Sequence, residues 1–367
     1  MKRREFIKSA GVAGLATAAA ASSFPKPALS QGRKQLKMVT TWPKNFPGLG
    51  TTAQRLADRI TTMSDGSLSV KVFSAGELVP PFESFDAVSS GTGDIYHAAE
   101  YYWQGKSKAF NFYAAVPFGL TATEQSAWIN HGGGQQLWDE VGKKFGVKPF
   151  MAGNTGVQMG GWFNKEVNSL EDYKGLKIRM PGLGGEVLRR IGAAAVSLPG
   201  GEIFPALQSG AIDATEWVGP WNDLAFGFYK VTKYYYYPGF HEPGTTLSSA
   251  VNLKVWEGLS SSHKAIVSSA MSAENDVALA EFNAKNNGAL NTLVNKHKVK
   301  VRKFSDEVMN AIGKRAGEVV AEAGASDALT GKVYDSFLKF RKNAIGWSKL
   351  SDQAYWDARL LPFKYGK

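Results

Sequence analysis

The segment Phe85-Asp86-Ala87-Val88-Ser89-Ser90-Gly91-Thr92-Gly93-Asp94-Ile95 returns about 120 residues later as Phe204-Pro205-Ala206-Leu207-Gln208-Ser209-Gly210-Ala211-Ile212-Asp213-Ala214. Aligned without a gap, the copies agree at Phe, Ala, Ser, Gly and Asp. Each reads as a helix end, a Gly stop, an Asp and then a short strand. The separation far exceeds a solenoid period. It suits two similar α/β lobes. Ligands of open α/β sheets sit outside the carboxyl ends of the strands, so facing lobes build one cleft from two such ends. Chemistry is therefore sought first just after the repeated Asp, at Tyr96 to Tyr102 and at Thr215-Glu216-Trp217.

The first residues predict a chain exported from the cytoplasm. Met1-Lys2-Arg3-Arg4-Glu5-Phe6 precedes an apolar, small-residue run from Ala10 to Ala21, and Ala28-Leu29-Ser30 offers a cleavage site. This predicts a signal peptide over residues 1–30, and the Arg pair points to twin-arginine export into the periplasm. A general secretory leader that happens to hold two Arg is the alternative. The run is shorter than the ~20 residues of a membrane span. An exported chain without Cys has no disulfides and must stand on its core alone. At 367 residues and 44% apolar content, two domains of ordinary size fit. The formal charge is +11. About +7 remains beyond the leader, a surface suited to small anions. No Lys/Arg block with interleaved aromatics appears, so nucleic acid is not an expected partner.

Hydrophobic periodicity predicts strands at Leu36–Trp42 and Leu68–Phe73 with a helix from Thr52 to Met63 between them. Strand, helix and strand joined by a Pro/Gly-rich loop start a parallel sheet. A second set follows: strand Gly175–Pro181, helix Gly184–Ile191, strand Ala194–Leu198, then the second repeat copy. Tyr234–Tyr237 and Val299–Phe304 read as further strands, and Trp256 to Leu293 as one long helix or two joined. Val333, Phe337, Phe340, Ala344 and Trp347 form an a/d stripe. That stripe belongs either to a helix packed on its own lobe or to one paired or exchanged in a dimer.

Catalytic signatures are scarce. There is no nucleophile elbow, no His-Glu-x-x-His and no Walker loop. Five scattered His argue against a His-rich metal site. Arg179 is the leading recognition residue, because Leu176-Lys177-Ile178-Arg179 alternates and ends just before Pro181. A guanidinium at a strand's carboxyl end can grip a carboxylate with two parallel hydrogen bonds; a surface Arg is the plain alternative. Glu216 beside a bound carboxylate would repel it unless a cation intervened, which suggests a hard metal held by oxygens, or else Glu216 faces elsewhere. Gln158 lies where the chain passes between lobes and offers a neutral amide oxygen. Tyr101, Tyr102 and Trp103 could floor the cleft or be core. His241 and Glu242, before Pro243-Gly244, are weaker candidates.

The leader, Gly175-Leu176-Lys177-Ile178-Arg179-Met180-Pro181-Gly182, Ala206 to Trp217 and the Tyr-rich Tyr234 to Phe240 together resemble solute-binding proteins of tripartite ATP-independent periplasmic (TRAP) transporters. The nearest branch takes 2-oxo acids such as pyruvate, or lactate, with a cation. This resemblance implies that Arg179 binds the carboxylate and that Gln158 and Glu216 ligate the cation, Trp217 giving its backbone carbonyl. It implies Glu242 as a further metal ligand, and Tyr101, Tyr102 and Asn154 as cleft residues. The implied cation is Na⁺, with Ca²⁺ the alternative. The implied partners are the small and large permease subunits, and a second copy of the chain through a C-terminal helix.

The expected fold is α/β, a two-lobed periplasmic-binding-protein fold of mixed sheets flanked by helices, with a long C-terminal helix. Lobe I is expected over residues 35–152 plus about 243–295, lobe II over 153–240 plus about 296–325, and a dimerising segment over 326–367. The expected function is reception of a small 2-oxo monocarboxylate, not catalysis. The rivals are a lactate or 2-hydroxy acid receptor with Ca²⁺, and an exported metal-dependent enzyme.

Overall fold

The computed structural model describes residues 33–366. The expected leader lies outside them. In chain order the strands are β1 (Lys34–Thr40), β2 (Leu68–Phe73), β3 (Ile95–Ala98), β4 (Val147–Asn154), β5 (Gly161–Phe163) and β6 (Lys177–Arg179). They continue as β7 (Ala194–Val196), β8 (Ala214–Thr215), β9 (Tyr234–Tyr237), β10 (Thr246–Asn252) and β11 (Lys300–Lys303). They form a five-stranded sheet ordered β2-β1-β3-β10-β4 and a six-stranded sheet ordered β11-β9-β5-β8-β6-β7. Each sheet holds a parallel βαβ unit and one strand antiparallel to the rest, β10 in the first sheet and β5 in the second. Helices flank both sheets, so the mixed two-sheet α/β architecture is as the sequence predicts.

The repeat is structural down to its hydrogen bonds. Gly91 and Gly210 both end their helices in the left-handed region, at φ 92° and 74°. Asp94 Oδ2 accepts from Lys37 N at 2.7 Å, while Asp94 N donates to Lys37 O at 2.9 Å. Asp213 repeats this on Lys177, at 3.0 and 2.7 Å. The lysine side chains then donate to Thr92 O and Gly210 O respectively. Each Asp thus fastens the start of its strand to the parallel neighbour. That register fixes which residues emerge at the carboxyl ends.

The long helix is two pieces: Leu253–Glu257 and Ser261–Asn291. Side-chain caps explain the break, since Asn252 accepts from Lys254 N and Val255 N, and Ser260 accepts from His263 N. The longer piece touches both sheet units. Arg55 reaches it at Glu274 and Glu281, both at 2.7 Å. From the other side, Trp221 N donates to Asn286 Oδ1 at 3.1 Å and the Trp221 ring packs on Phe282.

The C-terminal helix Ala328–Ser348 divides the predicted stripe. Val333 and Phe337 are buried against the first unit, and Trp128 Nε1 donates to Ser336 Oγ at 3.1 Å. Beyond them apolar surface is open: Trp347 is 70% exposed, Leu350 74% and Leu360 80%.

Buried polar groups back the strand ends of the first unit. His97 accepts from Trp42 Nε1 at Nδ1, 2.8 Å away, and burial lowers its pKa to about 4, so it stays a neutral acceptor. Glu100 accepts from Tyr96 Oη at 2.6 Å and Trp138 Nε1 at 2.8 Å. Burial raises its pKa from 4.5 to about 7 against those donors. The unfolded chain releases that proton near pH 4.5 while the folded chain keeps it to about pH 7, so this group's contribution to stability falls as pH rises through the window. Glu100→Gln removes the effect. Denaturant unfolding at the two ends of the window should show the native chain losing about 3 kcal/mol relative to the variant. A constant difference would contradict this assignment.

Candidate functional site

Parallel pairing of β6 with β8 sets Arg179 opposite Thr215 and brings Glu216 N to Arg179 O at 3.1 Å. Arg179 and Glu216 therefore leave adjacent strand ends side by side. Both are buried, at 1% and 0% side-chain exposure, and Arg179 Nη1 donates to Glu216 Oε1 in a short ion pair. Arg179 Nη1 also reaches Glu216 O, and Nε donates to Leu198 O, both at 3.2 Å. Burial opposes the guanidinium charge, but Glu216, Tyr102 and Tyr101 outweigh it and raise the pKa above its ordinary value. The Trp217 ring lies 5.1 Å from Arg179 Cζ.

The first unit closes over this pair. Arg179 Nη2 donates to Tyr102 Oη at 3.4 Å across the gap. Burial raises the Tyr102 pKa to about 12 against the pull of Arg179, so it remains a neutral phenol with a proton to give. Tyr101 packs edge-on to Tyr102 and donates to Glu242 Oε2 at 3.5 Å. The loop after β1 also crosses: Phe46 lies 4.2 Å from Phe226, Trp42 meets Trp217 edge-on, and Asn222 Nδ2 donates to Pro47 O at 3.1 Å. Two glycines permit the approach. A Cβ on Gly48 would lie 2.6 Å from Phe282, and one on Gly182 would lie 3.1 Å from Tyr101 Cβ; both have positive φ.

Two crossover segments run together between the sheets. Thr155 N donates to Thr245 O and Gln158 N to Glu242 O, each at 3.1 Å. Asn154 is engaged there at both ends of its amide, accepting from Gly156 N and donating to Gly244 O. Gln158 Nε2 faces three acceptors: Glu242 Oε2 at 2.8 Å, with Thr155 Oγ1 and Thr245 Oγ1 at 3.1 Å. Its Oε1 is buried without a hydrogen-bond partner. Burial raises the Glu242 pKa, and neighbouring Glu216 adds to the rise. His241 Nε2 lies 3.3 Å from Glu216 Oε2. Glu216, His241 and Glu242 each offer a ligand atom, all within 4.8 Å of one another.

The structure thus brings Arg179, Glu216, Trp217, Gln158, Glu242, Tyr101 and Tyr102 to one buried interface, with Asn154 in the adjoining crossover. Sequence reasoning gave His241 as a weaker candidate, which the structure places 3.3 Å from Glu216, and did not reach Phe46 or Asp223. Asp223 has a legible signal, an acid in the first turn of the helix opened by Gly219-Pro220. The donor set suits a hard cation: a buried amide oxygen without a partner and carboxylates beside it.

Two α/β units closed over a buried, charge-paired interface define a solute-binding protein of the two-lobed type. The chain belongs to the family of bacterial extracellular solute-binding proteins, family 7 (DctP), whose model matches residues 38–327. It is therefore a TRAP-type solute-binding protein, extracytoplasmic by family. It is 40% identical over 358 residues to a monocarboxylate 2-oxoacid-binding periplasmic protein of Nostoc sp., covering 97% of this chain and 98% of that one. A TRAP solute-binding protein of Pseudoalteromonas atlantica with bound sodium and pyruvate superposes with a TM-score of 0.86 at 40% identity, covering 90% of this chain and 100% of that one. One from Bordetella bronchiseptica, a mixed-occupancy dimer with calcium and picolinate in one site, superposes at 0.88 with 36% identity, covering 90% and 98%.

Breaking a buried ion pair from one side leaves a charge without a partner, at about 3–5 kcal/mol. Arg179→Met should therefore destabilise the ligand-free protein by about that much in denaturant titration. Arg179→Met combined with Glu216→Leu should recover most of the loss. A double variant no better than the single would show that the pairing is not what holds the charges.

Proposed function

We propose that this protein is an extracytoplasmic receptor that closes on a small 2-oxo monocarboxylate of the pyruvate class together with a hard cation. Na⁺ is the favoured ion and Ca²⁺ the alternative. The receptor delivers the acid to the small and large membrane subunits of its transporter. Residues 35–152 with about 243–295 act as one lobe, and 153–240 with about 296–325 as the other. A twin-arginine leader at residues 1–30 exports the chain to the periplasm.

The observation that carries this reading is Gln158 Oε1, buried without a partner on an amide bonded to Glu242, which offers a ligand atom within 4.8 Å of one from Glu216. Arg179 binds the acid's carboxylate through its planar fork. Gln158 Oε1, Glu216 and the Trp217 carbonyl hold the cation, with Glu242 as a further ligand or as the group that turns the Gln158 amide. The cation supplies the positive charge that lets Glu216 tolerate a second carboxylate. Tyr102 keeps a phenolic proton to donate, Tyr101 walls the cleft, and Asn154 steadies the crossover. The Arg179–Glu216 contact means the two charges exchange partners on loading, Arg179 taking the acid and Glu216 the cation. Either solute alone would leave one buried charge unmatched, so their affinities are linked.

Calorimetric titration of pyruvate tests both halves. Arg179→Ala should lose about 2–5 kcal/mol of binding, because a buried charged partner is removed. Chelated, salt-exchanged protein should bind pyruvate about 5- to 150-fold more weakly than protein supplied with Na⁺ or Ca²⁺. Glu216→Ala should abolish that difference. Full-strength binding by the cation-free native chain would defeat the shared-cation reading.

The open apolar surface from Trp347 to Phe363 supports self-association through the segment 326–367. Its Trp347, Leu350 and Tyr355 side chains are mostly exposed and Trp356 is half exposed. Light scattering should show a dimer for the native chain and a monomer for Trp347→Glu/Trp356→Glu. A native monomer would remove this part of the proposal.

A further inference from the structure

Asp223 is the second buried carboxylate held by a phenol and an indole. Its Oδ2 accepts from Tyr235 Oη at 2.6 Å and from Trp162 Nε1 at 3.0 Å, and the residue is 1% exposed. Its other oxygen, Oδ1, accepts from Val218 N at 3.3 Å. Burying a carboxylate is costly, and an Asp that served only to start the helix Pro220–Phe226 would do so from solvent. The Val218 contact gives it a different use. Val218 N and Trp217 C=O belong to one peptide plane, and that bond is trans. In a planar trans unit the carbonyl points away from the N–H. Fixing the N–H on Asp223 therefore fixes the Trp217 carbonyl on the opposite side. Among the described residues, no hydrogen bond ends on that carbonyl, although Trp217 is 4% exposed. Its neighbours are both engaged, Glu216 O by Arg179 and Thr215, and Val218 O by Met159 N.

We infer that Asp223 is a positioning residue for the cation site: by holding Val218 N–H it aims and polarises the Trp217 carbonyl as a ligand. The inference rests on the proposed role of that carbonyl. A carboxyl acceptor on an N–H draws electron density along the peptide unit toward its oxygen, and a fixed plane spares the cation the cost of ordering its ligand. Tyr235 and Trp162 satisfy the far oxygen, and Oδ1 is left to Val218.

Two variants separate this role from plain core support. Asp223→Asn cannot accept from Val218 while also accepting from Tyr235 and Trp162, so it disturbs the peptide. Tyr235→Phe removes a buried hydrogen bond but leaves the Val218 contact. Titration of Ca²⁺ into chelated protein with saturating pyruvate should show Asp223→Asn weakened about ten- to hundredfold. Tyr235→Phe should lose thermal stability with Ca²⁺ affinity unchanged. Equal Ca²⁺ losses in the two variants, or none in Asp223→Asn, would overturn the inference.

The sequence supplies a second readout. Trp217-Val218 is the only Trp-Val step in the chain. Labelling Trp carbonyl carbon and Val nitrogen therefore gives a single carbonyl–amide correlation. In the native chain, Ca²⁺ with pyruvate should move the Trp217 carbonyl carbon downfield, and the Val218 amide proton should already lie downfield as a hydrogen-bonded donor. Asp223→Asn should move that proton upfield and shrink the carbonyl response. Should the variant not fold, a Val218 amide proton without a hydrogen-bond shift in the native chain overturns the inference by itself. If Ca²⁺ binds but the native carbonyl does not respond, the role of Trp217 as a ligand fails. A carbonyl that responds equally in Asp223→Asn sinks only the role of Asp223.

Discussion

Taking a guanidinium and a carboxylate out of water costs several kcal/mol per ion, and only close pairing with full hydrogen bonding offsets it. The organisation around Arg179 and Glu216 follows from that constraint. They emerge from neighbouring parallel strands, so the backbone register alone brings them together. Three more Arg179 donors go to Leu198 O, Glu216 O and Tyr102 Oη. The second carboxylate oxygen of Glu216 faces His241. The approach of the first unit, with Phe46 on Phe226 and Trp42 on Trp217, is what excludes water from the pair. A site built this way is electrostatically tense. A neutral ligand gives neither charge a new partner, whereas an acid and a cation together match both.

Much of this was legible because strand ends obey simple rules. The repeated Gly and Asp located both strand starts, and the alternation Lys177-Ile178-Arg179 placed Arg179 at a carboxyl end. The two crossovers were legible only coarsely. Gln158 sits in a loop between β4 and β5, where no periodicity signals orientation, and its free oxygen depends on three acceptors, two of them about 85 residues away in sequence. The approach of His241 to Glu216 is hidden for the same reason: the two are neighbours only through the fold. Phe46 lay in a Pro/Gly-rich loop that composition marks as a turn, and nothing local shows that it lands on the opposite unit. The break at Gly258 to Ser260 came from caps that a smooth helical composition hides.

Each unit places a buried carboxylate behind its cleft-lining turn. Glu100, on Tyr96 and Trp138, precedes Tyr101 and Tyr102; Asp223, on Tyr235 and Trp162, follows Glu216 and Trp217. Both use the same pair of donors, a phenol and an indole, from separate stretches of chain. Such polar anchors constrain a backbone more sharply than apolar packing, because few geometries satisfy every donor at once. The contact surfaces at the cleft are thereby held from behind, on the side away from any solute.

The paired fasteners at Asp94 and Asp213 have a consequence for how such a molecule can diversify. Each completes its bonds before the first cleft residue appears, so whatever follows is mounted on a chassis already locked. One copy goes on to phenols and the other to an acid and an indole, with no change in the mount beneath them. Substitutions downstream of either Asp can thus change the residues mounted there while the strand beneath keeps its register, and the two stretches can drift independently.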